Sequence, residues 1–243
     1  MSKKVINQNT NYDMELLNSI GSKFIFNENP INRFNNDNVV FSKNLTKENI
    51  NKDQELSELK KQINLIEGCS LKNNSKNIVL GSGNINSPVM LIGEAPNAEE
   101  DQTGGVFLGE IGNLLKKMLI AIDIKKEDAY STYVVNFRPP EDRKPNSSEI
   151  KKYSQFLQKH ISIINPKIIV LMGGTAMESL TGLNNKISTE RGKWKEIIIK
   201  NINYNAIITF NPSYLLRIPE NKKYSWEDLK KIKQKIQDLK IKI

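Results

Sequence analysis

From Ile78 onward the chain alternates between two patterns: short apolar runs too brief for a helix, and longer stretches whose apolar residues recur every three or four positions. The runs Ile78 to Leu80, Val89 to Ile92, Ala129 to Val135, Ile168 to Met172 and Ala206 to Phe210 read as strands. Gly112 to Ile122, Ser147 to Ile164 and Thr175 to Thr181 read as the helices between them, and Trp226 to Leu239 closes the chain. Strands alternating with helices predict βαβ units and a mostly parallel sheet. Thr46 opens a further helix, with Leu56, Leu59, Ile63 and Ile66 spaced along one face. Residues 1–47 are polar and rich in Asn and Lys, with Met14 to Leu17 and Phe24 to Phe26 as their apolar clusters. They are expected to be a flexible extension, carrying at most a short helix around Asp13 to Ile20, ahead of one domain over 48–243.

Composition narrows the class. The formal net charge of +9 suits a polyanion partner, because clustered Lys and Arg gain affinity for nucleic acid by releasing counterions. A chain so rich in Lys, Asn and Ile reaches the same excess through compositional bias, so charge alone does not identify DNA. A single cysteine, Cys69, excludes an intramolecular disulfide framework. The start MSKKVINQNT lacks the apolar core of a signal peptide, and no stretch has the length of a membrane span, so a soluble, cytoplasmic protein is expected. His160 is the only histidine and falls within a helical pattern, where a surface or satisfied residue is the ordinary outcome. Histidine catalysis is not expected.

The chemistry concentrates in Val89 to Leu115, where an apolar run passes into an acidic, turn-rich loop and then an amphipathic helix. A loop leaving a parallel strand lies at its carboxyl end, where ligands bind in open α/β sheets. This one offers Glu94, Glu99, Glu100 and Asp101 beside Gly93, Gly104, Gly105 and Gly109. Pro139, Pro140 and Pro145 mark a second rigid loop, after the third strand.

The order Gly93-Glu94-Ala95-Pro96, Glu99-Glu100-Asp101, Phe107-Leu108-Gly109, Gly112 and Leu114-Leu115 resembles the first motif of the family 4 uracil-DNA glycosylases. The likeness continues through Val134-Val135, Arg138-Pro139-Pro140, Arg143, Pro145, Glu149-Ile150, Pro166-Lys167, Arg191-Gly192 and Asn211-Pro212-Ser213-Tyr214-Leu215-Leu216-Arg217. It implies a three-layer α/β fold with a central, mostly parallel four-stranded sheet flanked by helices. It also implies a DNA glycosylase that hydrolyses the bond between uracil and deoxyribose in base-excision repair, acting as a monomer on uracil-containing single- or double-stranded DNA. By that resemblance Phe107 faces the flipped base, and Gly93, Ala95 and Tyr133 line its pocket. Glu94 is linked to the attacking water and the cationic sugar. Ser213 and Arg217 hold backbone phosphates, and Leu215 enters the gap left by the base.

Three departures from the family pattern bear on function. Tyr133 stands where the family has a base-reading asparagine, and a phenol offers one hydroxyl where an amide offers donor and acceptor together. By analogy with paired base contacts, that exchange costs roughly 1–3 kcal/mol of discrimination. Asn211 stands where the family has a histidine that stabilises the departing uracil, and its amide supplies a neutral donor instead. Ile66, Phe137 and Tyr153 occupy three of the four cysteine positions that hold the family's four-iron cluster, leaving Cys69 alone. The expectation is therefore an enzyme with no metal or other cofactor, whose activity is weak or altered. A lapsed member that only binds DNA and a glycosylase for another deaminated base stand as alternatives.

Overall fold

The computed structural model describes residues 52–243. The expectations for residues 1–47, and the start of the helix at Thr46, lie outside them. The first described helix, α1 (Lys52–Asn64), buries Leu56, Leu59 and Ile63, the face its spacing predicts, and is followed by the short α2 (Ser70–Asn74).

Six strands form one mixed sheet: β1 (Gly81–Gly83), β2 (Val89–Gly93), β3 (Tyr130–Tyr133), β4 (Ile168–Met172), β5 (Trp194–Ile199) and β6 (Ile202–Thr209), in the order β1-β3-β2-β4-β6-β5. The inner four, β3-β2-β4-β6, are all parallel, in agreement with the expected core of the fold. The antiparallel edges β1 and β5 extend it to six. Ile78 to Leu80 is not the first strand. Pairing begins at Gly81, because Val79 spends its N–H on the Asn136 carbonyl at 2.9 Å and its own carbonyl on the Asn136 amide at 2.9 Å.

The β5 edge was not apparent from the sequence. It is joined to β6 by Lys200 and Asn201 at φ 48° and 64°, two successive left-handed residues as in a type I′ hairpin, without the Asn-Gly pair that usually announces one. The closing helix begins earlier than its apolar spacing suggests, as α9 (Lys222–Asp238). The acidic loop after β2 contains a helix, α3 (Ala98–Thr103), set by a capping box: the Asn97 side chain accepts from the Glu100 N–H, and the Glu100 carboxylate accepts from the Asn97 N–H.

Alternation along the central strands divides the core into two layers. Met90, Ile92, Ile169, Leu171, Ala206 and Ile208 face α1, α5 (Ser147–Ile164) and α6 (Gly174–Thr181). Val89, Leu91, Ile168, Val170, Met172 and Ile207 face α4 (Gly109–Ile120) and α9. Burial on both faces explains why these strands read as continuous apolar runs. Each fully buried Leu, Ile or Val contributes about 1.5–3 kcal/mol. The shared direction of β2, β3, β4 and β6 brings their four exits to one edge.

Candidate active site

At that carboxyl edge lies a cavity of about 310 Å³ lined by Glu94, Ala95, Phe107, Tyr133, Asn211 and Arg217, among others. A larger depression of about 430 Å³ opens at the amino end of the strands, but its lining, which includes Asn165, Lys167 and Lys240, contains no carboxylate. Of the two, the smaller cavity joins acid, amide and aromatic groups. The exits of β2, β3 and β6 line it, and that of β4 holds Glu94 through the Thr175 N–H.

Glu94 follows β2 directly, and its Oε1 accepts from the Thr175 N–H at 3.2 Å, an amide in the first turn of α6. Gly173, at φ 106°, makes room for it, since a Cβ there would lie 2.7 Å from Glu94 Oε1. Gly93 serves differently. It is buried beneath two rings, and a Cβ on it would come within 2.7 Å of Phe107 Cζ and 2.8 Å of Tyr133 Cδ1. Gly93 therefore supports the cavity from below, whereas Ala95 lines it.

Phe107 is buried and takes φ 49°, a left-handed conformation uncommon for a residue with a side chain. Its ring packs at 4.9 Å and 51° on that of Tyr133, the last residue of β3. The Tyr133 hydroxyl donates to Glu100 Oε1 at 2.7 Å and accepts from the Phe107 N–H at 3.1 Å. Glu100, one of the loop carboxylates, is itself buried and also accepts from Leu108 N–H at 3.1 Å and Asn97 N–H at 2.9 Å. Burial, and then the Glu100 charge, push the Tyr133 phenol well above its ordinary pKa. The internal role of Glu100 was missed from the sequence. Its signal was the Asn97-x-x-Glu100 spacing of a capping box.

Asn211 caps the short helix α8 (Pro212–Arg217), its Oδ1 accepting from the Ser213 N–H and the Ser213 hydroxyl, each at 3.0 Å. With Oδ1 committed there, the Nδ2 donors are the amide's remaining polar group, and Asn211 lines the cavity. Ser213 and Arg217 stand on the same rim. Leu215 does not. It is completely buried and lines a small apolar recess with Leu114, Met118 and Leu229, so the wedge role expected for it is corrected. The α8 helix turns that face onto α4, and the exposed apolar residues nearby are Ile218 and Trp226. Arg143 lines the cavity too, held by Glu149 through two contacts of 2.6 and 2.9 Å.

His160 is a core residue. Its Nε2 pairs with the Tyr130 hydroxyl at 2.9 Å, and burial lowers its pKa to about 3. The positions that would carry cluster cysteines do not fit a four-iron cluster. Cys69, Phe137 and Tyr153 are buried in one core with Ile66 packed against it, and Cys69 Sγ lies 3.2 Å from the Tyr153 hydroxyl. Among the described residues no group of three or more His, Cys, Asp or Glu is placed to hold a metal.

Residues 80–233 match the family model of the uracil DNA glycosylase superfamily. The chain is similar to the type-4 uracil-DNA glycosylase of Thermotoga maritima, 36% identical over 74% of this chain and 94% of that protein. Similar too are the type-4 uracil-DNA glycosylases of Archaeoglobus fulgidus, 31% identical over 74% of this chain and 92% of that protein, and of Pyrobaculum aerophilum, 32% identical over 68% and 86%. The family model's match spans the strands, the acidic loop and the capped α8 that together build the cavity, and on it and these relatives the chain belongs to the uracil-DNA glycosylase superfamily, among its type-4 members.

Proposed function

We propose that this protein is a monofunctional DNA glycosylase that hydrolyses the N-glycosidic bond of uracil in DNA for base-excision repair, without an iron cluster. The observation that supports it is the meeting of Glu94 and Phe107, from the loop after β2, with Asn211, from the turn after β6, in one cavity at the carboxyl edge of the sheet. A base hidden in the stack must be flipped out to be reached, and Phe107 offers the ring on which it rests. The bond between base N1 and sugar C1′ breaks with its electron pair leaving on uracil. The Asn211 Nδ2–H donates to the base oxygen where that charge collects. Glu94 offsets the positive charge on the sugar and takes a proton from the water whose oxygen bonds to C1′. Ser213 and Arg217 hold the backbone on the rim. A neutral amide is a weaker stabiliser of the leaving base than a charged donor, so turnover is slow.

Single-turnover release of uracil by the full chain, from single- and double-stranded oligonucleotides and at stated salt, tests this reading. Slow release that disappears in Glu94→Ala is the expected result, and no release by the wild type overturns it. A second reading, a glycosylase for another deaminated base, is favoured by the commitment of the Tyr133 hydroxyl to Glu100, which leaves no amide at that position. Faster release of hypoxanthine than of uracil in the same assay would establish it.

A further inference from the structure

Phe107 is held at both ends of its own backbone by side chains. Its N–H donates to the Tyr133 hydroxyl at 3.1 Å, and its carbonyl accepts from Lys126 Nζ at 2.6 Å. The hydroxyl donates its single hydrogen to Glu100 Oε1 at 2.7 Å as a hydrogen bond, and Glu100 is fixed in turn by the Asn97 and Leu108 amides. The donor of the phenol and one of its acceptor positions are thus both used inside the protein. The ring is equally committed. At 4.9 Å from Phe107 it is in direct contact, whereas a base between the two rings would need about 7–8 Å, two van der Waals contact distances. The base therefore reaches Phe107 from the cavity side.

We infer that Tyr133, with Glu100 and Lys126, forms a clamp that positions Phe107, and that Tyr133 does not read the base. A left-handed conformation at a residue with a side chain persists only where its surroundings over-determine it, and here three side chains from separate segments do so. Lys126 is partly buried and donates to the Val106 carbonyl as well, at 3.3 Å, so a cation holds one end of the Phe107 backbone and the phenol with its carboxylate partner holds the other. The inference rests on the reading that Phe107 stacks the flipped base. The consequence is that exchange of the family's asparagine for tyrosine moved this position from recognition to support.

The test is Tyr133→Phe, which keeps the ring and removes the hydroxyl, assayed for single-turnover release of uracil and of thymine opposite guanine. The clamp predicts uracil release slower by about 10- to 100-fold, the size of effect that small misplacements produce, with the uracil-to-thymine ratio unchanged. It also predicts that Glu100→Ala and Tyr133→Phe together are little worse than either alone, because both remove the same support. An unchanged rate with an altered ratio would overturn the inference and make Tyr133 a base reader. Amide hydrogen exchange supplies a readout independent of activity. The Phe107 N–H should be protected in the wild type and exchange faster in Tyr133→Phe, and an unprotected Phe107 amide in the wild type overturns the clamp even if the variant fails to fold. No uracil release by the wild type sinks the functional reading instead, with the clamp still decided by exchange.

Discussion

Asn211 divides its amide between two tasks, and the division can be separated by substitution. Its Oδ1 caps α8 through Ser213, and in the proposed reaction Nδ2 donates to the leaving base. Asn211→Asp keeps the acceptor and removes the donor, so it should fold as stably as the wild type yet release uracil about 10²–10³-fold more slowly, the usual cost of losing one preorganised donor. Asn211→Ala removes both, and thermal denaturation should show it destabilised by about 0.5–2 kcal/mol as well. Equal rates for Asn211→Asp and wild type would move Asn211 out of the chemistry. Glu94 is tested in the same way. Glu94→Gln retains the contact to Thr175 N–H but cannot take a proton, and should slow release by about 10²–10⁴-fold. Gly173→Ala approaches the same endpoint by displacing the carboxylate, since its Cβ would come within 2.7 Å of Oε1.

At the scale of elements, α5 ties the cavity wall to the core at two points. Its first turn carries the Asn146–Glu149 capping box, and the Arg143 guanidinium beside Glu149 holds that carboxyl below the ordinary range. A depressed acid contributes stability that is present above its unfolded pKa and is lost as pH falls through the folded one, so this anchor weakens on acidification. Further along, His160 packs against Tyr130 of β3, with its rings 5.4 Å apart and edge-on. Its pKa of about 3 lies below the ordinary 6.5, so the unfolded chain takes up the proton first. Stability should thus be constant above about pH 6.5 and fall at lower pH by about 1.4 kcal/mol per unit. Denaturant unfolding should show His160→Gln losing about 2 kcal/mol less than the wild type between pH 7 and pH 5. Parallel acid limbs for the two proteins would remove His160 as the cause.

Across the whole molecule, the net charge of +9 is expressed through particular side chains. Arg217 stands exposed on the cavity rim, beside the start of α9 with its lysines. Because each phosphate contact releases a counterion, Arg217→Ala should lower the slope of log affinity against log salt by about one unit, read by titrating a fluorescent oligonucleotide at several salt concentrations. An unchanged slope would assign the phosphate contacts to the lysines of α9. The purified protein should also be colourless and carry no four-iron complement by elemental analysis, with unfolding unaffected by chelators. One thiol, already hydrogen-bonded to Tyr153, cannot replace four thiolates.

What the sequence determined by itself is whatever depends on pattern along the chain. The apolar runs at Val89, Ile168 and Ala206 specify strands buried on both faces, and the spacing of α1 and α5 specifies which side of each helix turns inward, whereas α9 buries Leu229 and Ile232 but leaves Trp226 and the C-cap Leu239 exposed. Glu94 and Phe107 lie on the loop after β2 and Asn211 follows β6, so their motifs were placed at one edge, since parallel strands share their direction. The loss of three cysteine positions was equally legible. What only the tertiary structure decided is where each polar group spends its hydrogen bonds. Tyr133 and Glu100 are 33 positions apart, and no local pattern shows that the phenol turns from the base toward that carboxylate. Leu215 reads as an exposed wedge in a DNA-contacting turn until the packing of α8 on α4 buries it. The β5 edge forms because β6 offers it an unpaired side, through a turn whose residues lack a hairpin signature. Side-chain direction and partner choice depend on neighbours distant in sequence, and the periodicity of a segment carries no information about them.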